Sequence, residues 1–141
     1  MRMRPPRKWN LPLTYRPKIA RVASGEIRQT IRHGLKYRVG DQVSFHGWEG
    51  LPYRSRWTNR TGYFRLTECK EIRIYPDGVR RSGRSDEPGL IWRHCCWISP
   101  TVDHLAILDG IDPPTGRELG WLFTTMYDLP DDGMDFQVIR W

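Results

Sequence analysis

The sequence predicts an α+β fold, namely a small, mostly antiparallel β-barrel flanked by short helices. The chain has 141 residues, 38% of them hydrophobic, which suits one domain with a single core. Apolar residues alternate in several short runs, as they do in strands that bury one face. Near the end of the chain the apolar spacing becomes helical. A helix, several strands, two helices and a final strand make an α+β order.

In the first half, residues 1–12 are basic and rich in proline, and we expect them to form a flexible arm that precedes a folded domain of residues 13–141. Pro17 suits a first helical turn and Gly25 suits a helix end, so a helix is predicted at about Arg16 to Ser24. Alternation predicts strands at residues 27–32 and 53–57. Between them, Val39-Gly40-Asp41 introduces an apolar strand predicted at residues 43–46.

In the second half, a long β-prone run covers residues 63–75, and Asp77-Gly78 predicts a hairpin turn into a strand at 79–81. A polar loop is expected at 82–89 and a strand at 90–98. Ser99-Pro100 and Gly110 delimit one predicted helix. Thr115 and Glu118 have the spacing of a capping box that begins another, and residues 136–141 alternate as a closing strand.

Charge is divided unevenly along the chain. The net charge is +7, but residues 1–65 hold fifteen Lys or Arg against three acids, whereas residues 66–141 hold eight against thirteen. Only four of the 23 basic residues are Lys, and the planar fork of Arg suits phosphate oxygens and base stacking. The balance favours a polyanionic partner, with a merely solvated basic face as the alternative.

Several classes of protein are not expected. The mean hydropathy of −0.65 and the lack of a long apolar run argue against a membrane protein, and no apolar stretch follows the basic start, so a cytoplasmic location is expected. Cys95 and Cys96 are adjacent and Cys69 is distant, which favours neither a disulfide framework nor a zinc site. We expect buried, inert cysteines and no cofactor or metal.

Two segments carry a family resemblance: Ser24-Gly25-Glu26-Ile27-Arg28-Gln29-Thr30-Ile31-Arg32, and Val39-Gly40-Asp41. With the ordered motifs that follow, up to Phe136–Trp141, they resemble the ASCH domain family of the PUA-like superfamily, and in particular its small single-domain members encoded by bacteriophages and prophages. The resemblance covers about residues 13–141. It implies a PUA-like barrel with a cleft beside the first helix, binding of RNA or modified bases and, for a phage protein, the host cytoplasm.

Some ASCH proteins are nucleases or amidohydrolases, and the resemblance extends to part of that catalytic set. Thr30 matches the family's Thr, and Glu68 or Glu71 would supply its Glu. The family's Lys is replaced by Ile27, which cannot accept a proton from a hydroxyl or water. Whether the chain is an enzyme stays open, with binding favoured over catalysis. Thr30 and Glu68 are the candidate catalytic residues, and His33 or His46 could replace the missing base.

The candidate nucleic-acid-binding residues are cationic, hydroxyl or aromatic side chains that could share one groove: Arg28, Thr30, Arg32, Lys36, Arg38, Trp48, Arg54 and Arg56. Alternation places Arg28, Thr30 and Arg32 on one strand face. Trp48, Tyr53, Trp57 and Tyr63 are candidate stacking residues, among which Trp48, beside two glycines, is favoured.

The favoured function is a non-enzymatic module that binds nucleic acid or a nucleotide in an Arg-lined cleft. RNA is preferred to duplex DNA, because a small barrel offers a cleft and no helix for the major groove. One alternative is a nuclease or amidohydrolase that acts on RNA or modified nucleosides. The other is a phage protein whose basic face meets an acidic host factor.

Overall fold

The computed structural model describes residues 4–13, 16–51, 54–58, 60–81, 95–97 and 100–141. They form an α+β structure with two mostly antiparallel sheets and three short helices, which confirms the predicted class. In chain order the elements are β1 (Lys8–Pro12), α1 (Arg16–Ala23), β2 (Gln29–His33), β3 (Gln42–Trp48), β4 (Trp57–Thr58), β5 (Phe64–Arg65), β6 (Glu68–Tyr75), β7 (Gly78–Arg81), β8 (Cys95–Cys96), α2 (Pro100–Asp109), α3 (Gly116–Met126) and β9 (Met134–Arg140).

The chain divides into two compact units, where the sequence predicts one domain. Unit 1 comprises Met1–Arg28, Tyr37–Cys69 and Ile139–Trp141, and unit 2 comprises Gln29–Lys36 and Lys70–Val138. Each unit has its own cluster of buried apolar side chains. The buried apolar side chains of the described residues thus form two clusters.

Strand β3 is the centre of the sheet in unit 1. It pairs with β1 in parallel, from Lys8 opposite Gln42 to Pro12 opposite His46, and with β4 and β5 in antiparallel orientation. Val43 and Phe45 alternate along β3 and are completely buried. Gly47 faces α1, and a Cβ added there would lie at ordinary van der Waals distance, 3.6 Å, from Ile19. The apolar side of α1 therefore packs on β3 at Gly47.

Part of the segment expected to form a flexible arm, residues 8–12, forms β1. Leu11 is buried in the core of unit 1, and the ring of Trp9 packs edge-on against Tyr37 at 5.2 Å between centroids. The apolar residues of this segment find their partners more than 25 positions along the chain. The prediction was based on local periodicity, which cannot detect partners that lie so far along the chain.

A buried carboxylate holds the N-terminal segment to the turn before β3. Asp41 is 1% exposed. It accepts hydrogen bonds from Arg4 (2.9 and 2.7 Å), from the indole of Trp9 (3.0 Å), and from the backbone N–H groups of Arg7 (3.0 Å) and Arg38 (3.2 Å). Gly40 precedes it with φ +94, which glycine adopts without strain. The Gly40-Asp41 pair thus serves a structural purpose.

Most residues of the sheet of order β2-β9-β6-β7-β8 belong to unit 2. The hairpin between β6 and β7 pairs Tyr75 with Gly78, so the two turn residues are Pro76 and Asp77, one position before the predicted pair. Ile72 and Ile74 alternate inward along β6 and join Val79 of β7 in the core. The predicted loop at 82–89 and most of the strand predicted at 90–98 lie outside the described residues.

Helices α2 and α3 complete unit 2 largely as predicted. Thr115 caps α3, where its hydroxyl accepts the backbone N–H of Glu118 at 3.2 Å. Gly116 and Gly120 lie on the buried side of α3 against Trp97, since a Cβ added at Gly120 would be 2.4 Å from the indole ring. The two glycines therefore allow the helix to approach Trp97 closely. Among the described residues, no helix has the length and apolarity that a membrane span requires.

Two strand predictions need correction. The β-prone run at 63–75 is interrupted between β5 and β6. The strand predicted at 53–57 is wrong: Arg54 lies in a turn, where its N–H donates to Leu51 at 3.2 Å, and only Trp57 and Thr58 pair with β3. The alternation that predicted this strand is present in the sequence, but only Trp57 and the residue after it have a partner strand.

Candidate nucleic-acid interface

The predicted open face of Arg28, Thr30 and Arg32 does not exist as expected. Thr30 is 4% exposed, and its neighbours Gln29 and Ile31 are buried as well. Alternation fails because consecutive residues of β2 are buried, so both faces of the strand are covered at this point. Arg28 is exposed, with its Nε donating to the carbonyl of Gly25 at 3.3 Å, and Arg32 is half-buried.

The two candidate catalytic residues are found in different units, Thr30 in unit 2 and Glu68 in unit 1. Glu68 is half-buried, and its carboxylate accepts a hydrogen bond from Arg140 at 3.4 Å. His33, a candidate base, is exposed beside Phe136, with 5.4 Å between the ring centroids. Buried Thr30 and ion-paired Glu68 have surroundings typical of structural side chains, so the geometry supplies no argument for hydrolysis.

The remaining predicted cations also divide between the units. Lys36 belongs to unit 2, and Arg38, Arg54 and Arg56 belong to unit 1; all four are exposed. A single cleft lined by all the predicted arginines therefore stays a prediction, whereas Arg54 and Arg56 immediately precede the aromatic β4 within one unit.

Trp57, rather than the favoured Trp48, is the exposed indole of unit 1. Trp57 is 47% exposed, whereas Trp48 is half-buried. One face of the Trp57 ring stacks on His46, with 3.9 Å between centroids and 17° between planes, and Trp48 contacts both rings edge-on. His46 is 3% exposed, so it forms a buried support that fixes the orientation of the exposed indole.

Polar and cationic side chains from β1 and from the segment after β4 are linked to this indole through Arg60. The guanidinium carbon of Arg60 lies over the Trp57 ring, 5.6 Å from its centre, and the Nη2 of Arg60 donates to Asn10 Oδ1 at 3.4 Å. The hydroxyl of Tyr63 donates to the same oxygen at 3.1 Å, and Lys8 Nζ lies 5.2 Å from the centre of the Tyr63 ring. We call Lys8, Asn10, Trp57, Arg60 and Tyr63 the aromatic–basic patch.

Sequence reasoning missed Lys8, Asn10 and Arg60. Arg60 is 50 positions from Asn10, and no local pattern relates the two. One signal was present: Lys8 and Asn10 alternate with the apolar Trp9 and Leu11, which indicates a strand with one polar face. The proline-rich surroundings favoured an arm instead.

Unit 1 is also the basic part of the protein. Its segments contain 14 Lys or Arg and four Asp or Glu, a net charge of +10, whereas those of unit 2 contain nine and 12, a net charge of −3. Within the described ranges, Lys8, Arg54, Arg56 and Arg60 have no carboxylate at salt-bridge distance. The patch thus presents positive charge that no acidic group of these ranges neutralises.

Cys69 is a half-buried cysteine that lies outside the patch. Burial, followed by the carboxylates of Asp41 and Glu68, raises the pKa of the Cys69 thiol to about 11, so it is a neutral thiol and a poor nucleophile at neutral pH. In the part of the chain that the structure describes, no group of three or more His, Cys, Asp or Glu side chains could hold a metal ion.

The geometry therefore presents an exposed aromatic ring with a fixed orientation, a second exposed ring and cations beside both. Comparison of the chain with protein-family models, with curated proteins and with solved structures finds no match.

Proposed function

We propose that this protein binds single-stranded nucleic acid, with RNA as the preferred form, and that the aromatic–basic patch of unit 1 is its binding surface. The binding is non-enzymatic. The observation that carries the proposal is the exposed Trp57 ring, supported underneath by the buried His46 and flanked by cations that lack carboxylate partners among the described residues.

The aromatic rings would supply affinity through base stacking. Unpaired bases stack on aromatic side chains and on Arg guanidinium planes, and each stacked base contributes about 1 to 3 kcal/mol. Trp57 is already held by His46 and Trp48, so little side-chain entropy is lost when a base stacks on it. Tyr63, 41% exposed, provides a second ring.

The cations would supply phosphate contacts. Lys8 and Arg60 lie against the two rings, while Arg54 and Arg56 precede Trp57 in the chain. Phosphate neutralisation by such groups releases counterions and makes affinity fall with salt. Single strands suit this patch better than duplex DNA, because bases in a duplex are stacked on one another and unavailable to Trp57.

We also propose that the chain is an ASCH-like protein with a PUA-like barrel. The α+β class, the helix at Arg16–Ala23 and the turn at Gly40-Asp41 support this proposal. Cross-strand contacts measured by NMR in solution that join the strands into one barrel would support this proposal, and the absence of such contacts would contradict it.

The first test replaces Trp57 with Ala and measures binding of a fluorescein-labelled single-stranded RNA decamer by anisotropy at low salt. Loss of one stacking platform is expected to weaken binding by about tenfold, within the range given for one base. Trp121→Ala is the matched control, because Trp121 is 59% exposed but belongs to the acidic unit 2. Equal losses for the two variants, or no binding by the wild type, would overturn the proposal.

The second test measures the salt dependence of the same binding. Arg60→Ala is expected to reduce the slope of log affinity against log salt by about 0.7, the value for one phosphate contact on a single strand. Arg117→Ala, an exposed Arg of α3, should leave the slope unchanged. An equal slope for Arg60→Ala and the wild type would contradict the assignment of a phosphate contact to Arg60.

A further inference from the structure

The Trp57 ring has one face that protein packing fills and one face that Arg60 partly covers. His46 lies nearly parallel to the ring with 3.9 Å between centroids, which leaves no space for another group on that face. Arg60, whose guanidinium carbon lies over the ring at 5.6 Å from its centre, is therefore on the opposite face. Trp57 is still 47% exposed, so the guanidinium covers this outer face incompletely.

The separation between the indole and the guanidinium is intermediate between two arrangements. Flat groups in direct contact lie about 3.5 to 4.0 Å apart, whereas two flat groups with a third between them lie about 7 to 8 Å apart. The observed 5.6 Å is too long for close stacking and too short for a sandwich. An outward movement of Arg60 by about 2 Å would create space for one base between the two groups.

Arg60 is able to make this movement, because few contacts hold its guanidinium. Its side chain is exposed, and its hydrogen bond to Asn10 Oδ1 is 3.4 Å long, beyond the about 2.7 to 3.2 Å of a strong bond. Within the described residues, no carboxylate lies at salt-bridge distance from it. The indole, in contrast, rests on buried His46 and also contacts Trp48. The site therefore has one fixed wall and one movable wall.

We infer that an unpaired base inserts between the Trp57 indole and the Arg60 guanidinium. Arg60 is then a specificity-determining residue, because it makes the aromatic–basic patch select polyanions that carry bases over base-free polyanions. This inference rests on the proposed function and goes beyond it, since cations alone would bind any polyanion. Arg suits the role because its planar guanidinium stacks through its face while its edge N–H groups stay available to phosphate. A lysine ammonium carries the same charge and has no plane.

The test replaces Arg60 with Lys in the full chain and measures the affinities for a labelled oligo(U) decamer and for inorganic polyphosphate, which has no bases. Arg60→Lys should weaken oligo(U) binding by about threefold to tenfold, within the range of one cation–π contact. The affinity for polyphosphate should stay within about twofold of the wild-type value, because the charge is retained. For the same reason the salt dependence of oligo(U) binding should not change.

The matched control is Arg56→Lys. Arg56 is exposed in the same unit and has no cation–π contact among the described residues. This variant should leave both affinities within about twofold of the wild-type values, since only its charge contributes. A loss of oligo(U) affinity equal to that of Arg60→Lys would show that the effect does not depend on Trp57, and it would overturn the inference.

A double variant tests whether the two walls hold the same base. In a Trp57→Ala background one wall is already lost, so Arg60→Lys should change oligo(U) affinity by less than about twofold. If Trp57→Ala weakens oligo(U) binding but Arg60→Lys does not, or if Arg60→Lys weakens polyphosphate binding equally, the inference fails and the proposed function stands. Full additivity of the two substitutions has the same meaning. If the wild type does not bind oligo(U), or if Trp57→Ala binds it as tightly, both fail.

Discussion

Replacement of Asp41 with Asn is expected to lower the free energy of unfolding by about 3 kcal/mol, because it breaks a buried, fully hydrogen-bonded carboxylate. The side chain accepts five hydrogen bonds, two of them from Arg4. An amide retains one oxygen and places its own donors against the remaining donors. Urea unfolding followed by tryptophan fluorescence measures the change.

The matched control is Glu26→Gln. Glu26 forms an exposed ion pair with Arg21 at 3.1 Å in the same unit, and exposed pairs contribute little, so a change under about 0.5 kcal/mol is expected. Similar losses for the two variants would show that Asp41 contributes no more than a surface charge.

The pH dependence gives a second check on Asp41. Burial alone would raise its pKa, but the hydrogen bonds from Arg4, Arg7, Trp9 and Arg38 outweigh burial and hold the pKa well below its usual range. A carboxyl whose pKa is lower in the folded state stabilises fully above its unfolded pKa of about 3.9, and this contribution is lost as the pH falls towards the folded value. The difference between wild type and Asp41→Asn should therefore be smaller at pH 3 than at pH 7.

Gly120→Ala is expected to destabilise the protein by about 2 kcal/mol, although alanine ordinarily stabilises a helix interior by about 1 kcal/mol relative to glycine. The added Cβ would lie 2.4 and 2.5 Å from Cδ2 and Cγ of Trp97. These atoms lie near the root of the indole, whose nitrogen donates to Pro76 at 3.1 Å, so the ring cannot move aside without breaking a hydrogen bond.

The control for this prediction is Gly62→Ala. A Cβ at Gly62 would meet no atom within 4 Å, and its backbone is not left-handed. Thermal unfolding should show a clear drop in Tm for Gly120→Ala and almost none for Gly62→Ala. A stabilised Gly120→Ala variant would mean that α3 does not pack against Trp97 as described.

Local signals predicted much of the fold. Pro17 and Gly25 indicate helix α1, and Thr115 with Glu118 indicates the start of α3, because capping and helix ends depend on neighbours a few positions away. Strand β1 was missed because its partners are on β3, and parallel pairing leaves no hairpin signal between the two strands. The division into two units was also missed, because each unit is assembled from segments that lie far apart in the sequence.

The candidate site was less predictable than the fold. Aromatic rings in a basic segment pointed to stacking, but composition cannot say which ring is exposed, and Trp57 rather than Trp48 has that position. Thr30 was predicted to be a surface hydroxyl because alternation indicates one face only if the other face of the strand is exposed. Strand β2 is covered on both faces at Thr30, so the prediction does not apply there. Asn10 and Arg60 meet only through the tertiary structure, and no spacing rule could pair them.

The composition of unit 1 bears on the order in which the protein folds during synthesis. Ile139 is completely buried in its core, and Trp141 packs against Phe45 at 4.7 Å between ring centroids. Domains generally fold from the N-terminus as they are translated. Here the core of unit 1 stays incomplete until residue 141 has left the ribosome. Every segment of unit 2, in contrast, has been translated once Val138 has been added.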